Sequence, residues 1–450
     1  MPGNMADDYR RAIAMISSPF LTDLDSRAAV KGSRDPLGIQ GVWTRFGRHV
    51  VGNLSTVSNA VRDFTVLLLG YHFAARVTEQ NGPESQLGAF LKWEQLAGYA
   101  RGRVNKDWSF RGTERARQRV DESNVLTLSA ESKYQLLSNQ KVYGLWGLYT
   151  VPGRASGLFE GDPVRLKPLA LKLVEEFYLP MLTDEGFRDG KVIVEILSEE
   201  NYPLNVDGQD KRLLKAVARV LQPRFLARER EFYREHLLYG GSEDSTNGRQ
   251  RQLVGLLEPK LNGLEFDWSP PKVAALAKEA EKRGQEWLAL ARYLRRISQV
   301  ETVLAPTSTL FTHLLGCEGM KTDEVAKRVR NQWGAKVTSV AADALPDLQP
   351  ELAGDDVATG QRWVEIGQSL ANGDYAKLIR RMLEQNRSVM QSRGGASAWV
   401  EEQNHRLRVR MNEERGELPE RERLTTLWRF PYFLNSIASV AFQLKEGDHG

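Results

Sequence analysis

The sequence predicts a mainly α-helical protein of several domains, broken by one short segment that folds back as a ribbon and by a small C-terminal β-hairpin. Three observations carry that prediction. Apolar residues recur at spacings of three and four over most of the chain, as one-sided helices require. Strict apolar/polar alternation, the mark of a half-buried strand, is clearest at Val164-Arg165-Leu166 and from Arg406 to Arg410. Finally, 450 residues exceed what one core ordinarily organises, so the chain should divide into two to four domains.

Composition narrows the class. Hydrophobic residues make up 41% and charged residues 27%, which is ordinary for a folded globular protein. The greasiest run, Phe64 to Ala75, is interrupted by His72 and flanked by Arg62 and Arg76, so it reads as a buried helix and no membrane partner is expected. The N-terminus has no basic segment followed by a long apolar run, so no secretory signal is expected. A single cysteine, Cys317, excludes an internal disulfide framework and a thiolate-rich zinc site, which makes the cytosol the default compartment. The net charge of +4 is a small bias for this length, so local clustering matters more than the total.

In chain order, residues 1–8 read as disordered and Tyr9 to Ser17 as a short helix before Pro19. Asp35-Pro36-Leu37-Gly38 opens a helix carrying Ile39, Val42, Trp43, Phe46 and Val50. After the break at Gly52-Asn53-Leu54, Ser55 is placed to cap a helix that runs into Phe64 and Tyr71. Pro83 begins the next helix, packed through Phe90, Trp93, Leu96 and Tyr99. Asn124 to Ser129 reads as a strand, and Lys191 to Ser198 fits a strand or a short helix. Helical spacing resumes from Asp210 to Leu238 with a break at Pro223, before the small polar stretch Gly240 to Gly248, expected as a mobile loop.

Further helices are expected over 249–261, 271–282, 284–303, 307–315 and 322–333. The Ala-, Pro- and acid-rich segment 340–356 reads as a linker, followed by helices over 359–371 and 374–393. Two short strands then flank Gln403-Asn404-His405, with Arg406, Arg408 and Arg410 on one face. Leu424 to Leu444 is expected as a closing helix that docks on its own domain or on a partner. The resulting division is an N-terminal helical domain (1–122), a small module (123–182), a helical array (190–339), the linker (340–356) and a C-terminal domain with the hairpin (357–450).

The module is the most informative stretch. Gly157-Leu158-Phe159-Glu160 ends a helix near Phe159, Gly161-Asp162-Pro163 turns, Val164 to Leu166 forms a strand, and Pro168 starts a helix where its missing N–H costs little. This order resembles the end of winged-helix regulators. Gly157, Leu158 and Glu160 match the first part of that pattern, Leu166, Pro168 and Ala170 the second, and Lys167 stands where threonine is commoner. The resemblance covers the 40 residues from Ser138 to Phe177 and implies duplex DNA as partner. It places Arg154 and Ser156 towards a groove and Arg165 and Lys167 towards phosphate. Upstream, Ser55 to Ala60 resembles the opening of recognition helices in Lac-repressor-type proteins, which would bring Ser55 and Asn59 to base edges.

Between Arg101 and Arg119 lie Arg101, Arg103, Lys106, Arg111, Arg115, Arg117 and Arg119, against Asp107 and Glu114, with Trp108 and Phe110 interleaved. Cations neutralise phosphates and exposed aromatics stack on unpaired bases, so this is the strongest nucleic-acid footprint in the sequence; a solvated helix face is the bland alternative.

Catalytic signatures are missing. No G-x-x-x-x-G-K-[ST] and no G-x-S-x-G occurs, and His49, His72, His236, His313, His405 and His449 are scattered singly. Asp323, Glu324 and Lys327, or Asp207, Asp210 and Lys211, have the residue types of a metal-dependent nuclease without its strand pair. No catalytic residue, metal, cofactor or small-molecule ligand is assigned. The expected function is a non-catalytic, DNA-binding recognition or assembly subunit with other protein subunits as partners. The overall texture resembles uncharacterised helical proteins from gene clusters that defend bacteria against phage. A protein–protein adaptor and a nuclease or other nucleic-acid-modifying enzyme are the alternatives.

Overall fold

The computed structural model describes residues 35–264, 266–411 and 416–445; the helix expected from Tyr9 to Ser17 lies outside them. The protein is mainly helical, and among the described residues its strands form three separate two-stranded antiparallel ladders. The chain packs as two compact units, interleaved in sequence rather than arranged in consecutive blocks. One comprises the described residues up to Phe46, Trp268–Ala277 and Arg292–Phe430; the other comprises Gly47–Asp267, Lys278–Ala291 and the residues from Pro431 onward.

Helix α1 (Ile39–Arg48) begins where the Asp35 carboxylate accepts the N–H groups of Ile39 and Gln40, both at 2.8 Å. That satisfies two of the donors a helix start leaves open. The second unit is built on α2 (Val61–Asn81) and α3 (Ser85–Arg103). Every residue of α2 from Val61 to Ala74 is buried, which explains a run that is apolar all round. The two helices touch closely at Gly70, where a Cβ would sit 2.7 Å from Phe90 and from Trp93, and the Trp93 indole N–H donates to the Val66 carbonyl at 2.8 Å.

The helix expected from Ser55 in fact starts at Val61. Residues 55–60 are a loop: Ser58 Oγ takes the Ser55 N–H at 2.6 Å, and the Val61 N–H is capped by the Gln443 side-chain carbonyl at 3.0 Å. A serine that caps by sequence thus closes its own turn instead.

α4 (Thr113–Glu122) and β1 (Val125–Ser129) follow. After α5 (Gln140–Tyr143) and α6 (Leu145–Ala155) come the short strands β2 (Phe159–Glu160) and β3 (Arg165–Leu166). α7 (Pro168–Leu173) runs through a π-turn into α8 (Leu179–Asp184), and the ambiguous run 191–198 is a helix, α9 (Lys191–Ser198). β4 (Asn201–Asn205) pairs with β1, Val125 facing Asn205 and Ser129 facing Asn201. α10 (Lys211–Val220), α11 (Ala227–Tyr233) and α12 (Arg249–Leu257) complete this stretch. The segment 240–248 is not the free loop expected: the Asp244 carboxylate accepts the N–H groups of Thr246 (2.8 Å) and Gly248 (2.7 Å), and Thr246 is buried.

Two expectations fail along α13 (Pro270–Lys282), α14 (Leu288–Leu314), α15 (Thr322–Trp333) and α16 (Leu345–Ala353). The helices expected over 284–303 and 307–315 are one, α14, which passes through Pro306 because buried residues such as Val303, Leu304, Leu310 and Phe311 hold both sides. The expected linker contains α16: Pro346 occupies its first turn, and Leu345, Leu348 and Leu352 are buried. α17 (Val357–Asn372), capped by Asp356, and α18 (Tyr375–Ser392) lead to the hairpin β5 (Val400–Gln403) and β6 (Arg406–Val409). The closing helix, α19 (Leu434–Gln443), starts later than expected because Tyr432 and Phe433 take positive φ angles of 44° and 61°.

Candidate nucleic-acid interface

The ribbon read from the sequence is present, in the unit built on α2 and α3. α6 stops at Ala155, short of Phe159, and Gly157 turns the chain with φ +70°. Phe159 faces Leu166 and Glu160 faces Arg165 across β2 and β3. The Phe159 ring lies on Gly153, where a Cβ would come within 2.3 Å of it, so only glycine fits there. Gln86 of α3 grips the ribbon by donating to the Val164 carbonyl at 2.7 Å and accepting the Val164 N–H at 3.1 Å.

The four ribbon candidates separate. Arg165 is exposed on β3. Lys167 is half-buried and its Nζ pairs with Glu243 Oε1 at 2.7 Å. Arg154 donates to the Gly161 carbonyl at 2.5 Å and so braces the turn. Ser156 is a correction: it is fully buried, donates to the Pro152 carbonyl at 2.8 Å and accepts from Asn53 at 2.9 Å, so it meets no groove. On the outer side of α5 and α6, Val142, Tyr143 and Val151 are exposed, Val151 to 70%.

Ser55 and Asn59 are not at a helix start either. Ser55 Oγ is engaged with Ser58, while Asn59 is exposed and its carbonyl accepts from Ser439 (3.0 Å) and Gln443 (2.6 Å).

The basic segment spans the end of α3, a loop and α4, and it divides in the same way. Arg101 is only 3% exposed and joins Asp63 and Asp107, each at 2.7 Å. Burial opposes its charge, but the two carboxylates prevail and hold its pKa above the usual range. It is therefore a structural ion triad and not a phosphate contact. Arg103 pairs with Asp207 at 2.9 Å. Arg119 donates to the carbonyls of Lys133 (2.9 Å), Gln135 (3.1 Å) and Tyr134, holding down the turn before α5.

Trp108 lies over Gly102, stacks on Phe110 at 6.0 Å and is half-buried, as is Phe110, so the exposed aromatics expected for base stacking are folded onto the protein. Arg111 is half-buried and extends its charge towards Glu94. Lys106, Arg115 and Arg117 are exposed, and among the described residues none of the three joins a carboxylate; Arg117 lies 4.9 Å from the Trp108 ring centre.

Sequence reasoning missed Glu94. It is buried on α3, accepts the Leu145 N–H at 2.8 Å and the Gln140 side-chain amide at 2.8 Å, and so fixes the start of α6. Burial pushes its pKa up to about 7. His72 on α2 is also buried, and burial with the nearby Arg76 pushes its pKa down to about 4. Neither carried a signal, since a lone Glu or His inside an apolar helix reads as incidental.

In the other unit the hairpin alternates as expected, with Leu407 buried between arginines. Each arginine has an acceptor, however: the Gly319 carbonyl for Arg406 (2.7 Å), Gln403 for Arg408 (3.2 Å) and Glu401 for Arg410 (3.0 Å). Three of the carboxylates considered for metal binding have other partners. Asp210 accepts from Tyr202 and from the Asn205 N–H, both at 2.7 Å, Asp207 takes Arg103, and Asp323 sits 3.7 Å from Arg380. Among the described residues no three His, Cys, Asp or Glu side chains gather as metal ligands, and no helix is long and apolar enough to cross a membrane. No protein-family model matches this chain, and no curated protein or solved structure matches it.

Proposed function

We propose that this chain binds duplex DNA by phosphate contact and acts, without chemistry of its own, as a recognition or assembly subunit of a bacterial multi-protein system in the cytosol. The observation that carries the reading is the set Lys106, Arg115 and Arg117, exposed cations without carboxylate partners in a segment whose other arginines are engaged. Such side chains displace condensed counterions from DNA. On this reading α6, the ribbon and α7 act as a winged helix, with Arg165 and Arg154 as a second point of contact. The test is a gel-shift titration on random duplex at two salt concentrations. Affinity should fall steeply with salt; salt-insensitive binding, or none, removes the reading.

A protein adaptor is the second reading, favoured by the exposed apolar side chains Val142, Tyr143 and Val151. Under it Val151→Asp disrupts assembly with a partner subunit and leaves duplex affinity unchanged.

A further inference from the structure

Behind the basic segment, the start of α2, the end of α3, the stretch from Gln222 to Arg230 of α11, Leu264 and the end of α19 with Lys445 line an open cavity of about 580 Å³. Arg62, Arg101, Arg224, Arg230 and Lys445 line it, with Asp107 the only acidic residue among the described residues of the lining. Arg62 is neutralised by Glu229 and Arg101 by Asp63 and Asp107, and Arg224 has interactions of its own. Among the described residues, the side chains of Arg230 and Lys445 meet carbonyls, those of Phe225 at 3.1 Å and Leu261 at 3.2 Å. Nε of Arg62 and Nε of Arg230 are buried without a hydrogen-bond partner, sealed from the cavity itself. A cavity lined by cations that meet carbonyls rather than carboxylates concentrates positive potential and favours an acceptor-rich anion.

The remaining wall is apolar. Phe225, whose ring already carries the Arg62 guanidinium at 4.2 Å, borders the cavity with Phe442 and the 56% exposed Leu264, and Leu264 offers contact to an uncharged body attached to the anion. The volume lies within the range usual for small-molecule sites. The geometry points to a site for a phosphate monoester carried on a nucleoside, either a free nucleotide or the 5′-terminal nucleotide of a strand. Arg230 and Lys445 take the phosphate oxygens and the apolar wall takes the base. The residues come from five distant segments of the chain, so no motif announces them. The site goes beyond duplex contact by Lys106, Arg115 and Arg117 and does not depend on it.

The test is calorimetry on the full chain with AMP, adenosine, a 5′-phosphorylated trinucleotide and its 5′-hydroxyl counterpart. The phosphorylated member of at least one pair should bind about ten-fold or more tighter than its partner without phosphate. Binding by AMP alone identifies a free nucleotide, binding by the trinucleotide alone a strand end, and binding by both the shared phosphate chemistry. The double variant Arg230→Gln/Lys445→Gln should lose that preference at an unchanged melting midpoint. Should it fail to fold, Lys445→Glu alone, at a residue whose side chain bonds the Leu261 carbonyl, must still weaken the phosphorylated ligand. Equal binding of phosphorylated and unphosphorylated ligands, no binding by any of the four, or variants that bind as the parent does, overturns the site. Duplex with unphosphorylated ends reads the other interface separately, because Lys445→Glu should leave its affinity unchanged.

Discussion

The two ends of α3 carry the same kinds of residue in opposite circumstances. At its N-terminal end Gln86 holds a ribbon whose cations are largely occupied, Lys167 by Glu243 and Arg154 by the Gly161 carbonyl. At its C-terminal end three cations remain exposed without carboxylates, next to a triad in which Arg101 is sealed between two aspartates. Gln86 and Arg101 are 15 positions apart on one helix, or about 22 Å at 1.5 Å per residue, so the two ends do not make one patch. What separates a structural arginine from an available one is the acceptor folded against it, which lies elsewhere in the sequence.

The largest expected effect tests the sealed side of that contrast. Arg101→Ala leaves Asp63 buried without its cation and should cost about 3–5 kcal/mol in urea unfolding. A loss below about 1 kcal/mol would put Arg101 among the available cations instead. Next, Lys106→Ala/Arg115→Ala/Arg117→Ala should leave stability intact while lowering duplex affinity about a hundred-fold at low salt and reducing the salt slope by about 2 to 3. The matching ribbon variant, Arg154→Ala/Arg165→Ala, should lower duplex affinity only about five-fold. If the ribbon variant is the more damaging, the ranking of the two ends is reversed and the winged-helix reading gains.

The smallest effect concerns two buried titrating groups in the same unit. His72 has a folded pKa of about 4 against its usual 6.5, so between those values the unfolded chain holds a proton that the folded protein lacks. Its contribution is complete above pH 6.5 and is lost as pH falls towards 4. Glu94 runs the other way, with a folded pKa of about 7 against 4.5: it favours the folded protein most below pH 4.5, and that advantage fades as pH rises through 7. The two slopes oppose each other over most of this interval. His72→Asn should therefore expose a loss of stability on raising the pH from 5 to 6.5, of about 1 kcal/mol per unit at most, in melting curves. Glu94→Gln should expose the reverse slope, and unchanged curves for both would refute the two assignments.

The helical class, the ribbon, the hairpin and β1 were legible because each is a local pattern: spacing of three and four, alternation, or a turn between strands. What failed was local chemistry with more than one solution. Ser55 can cap a helix or bond Ser58, and it bonds Ser58. A segment rich in Ala and Pro can link or coil, and Leu345, Leu348 and Leu352 decide for the helix α16 by being buried. At the candidate interface residue types were readable but exposure was not, since Asp63, Asp207 and Glu243 lie between 38 and 104 positions from the cations they occupy. Ser156 beside Arg154 looked equally available until Asn53 was found against it.

The ladder joining β1 to β4 has one more implication. Because Ser129 faces Asn201, everything between them is a detour that leaves and rejoins this ladder at a single place while packing on α2 through Tyr149 and Phe159. A protease nick at the exposed Glu160-Gly161-Asp162 bend would cut this detour at its tip, yielding two fragments that separate in a denaturing gel yet elute together from a sizing column. The covalent thread is dispensable there once the protein has folded.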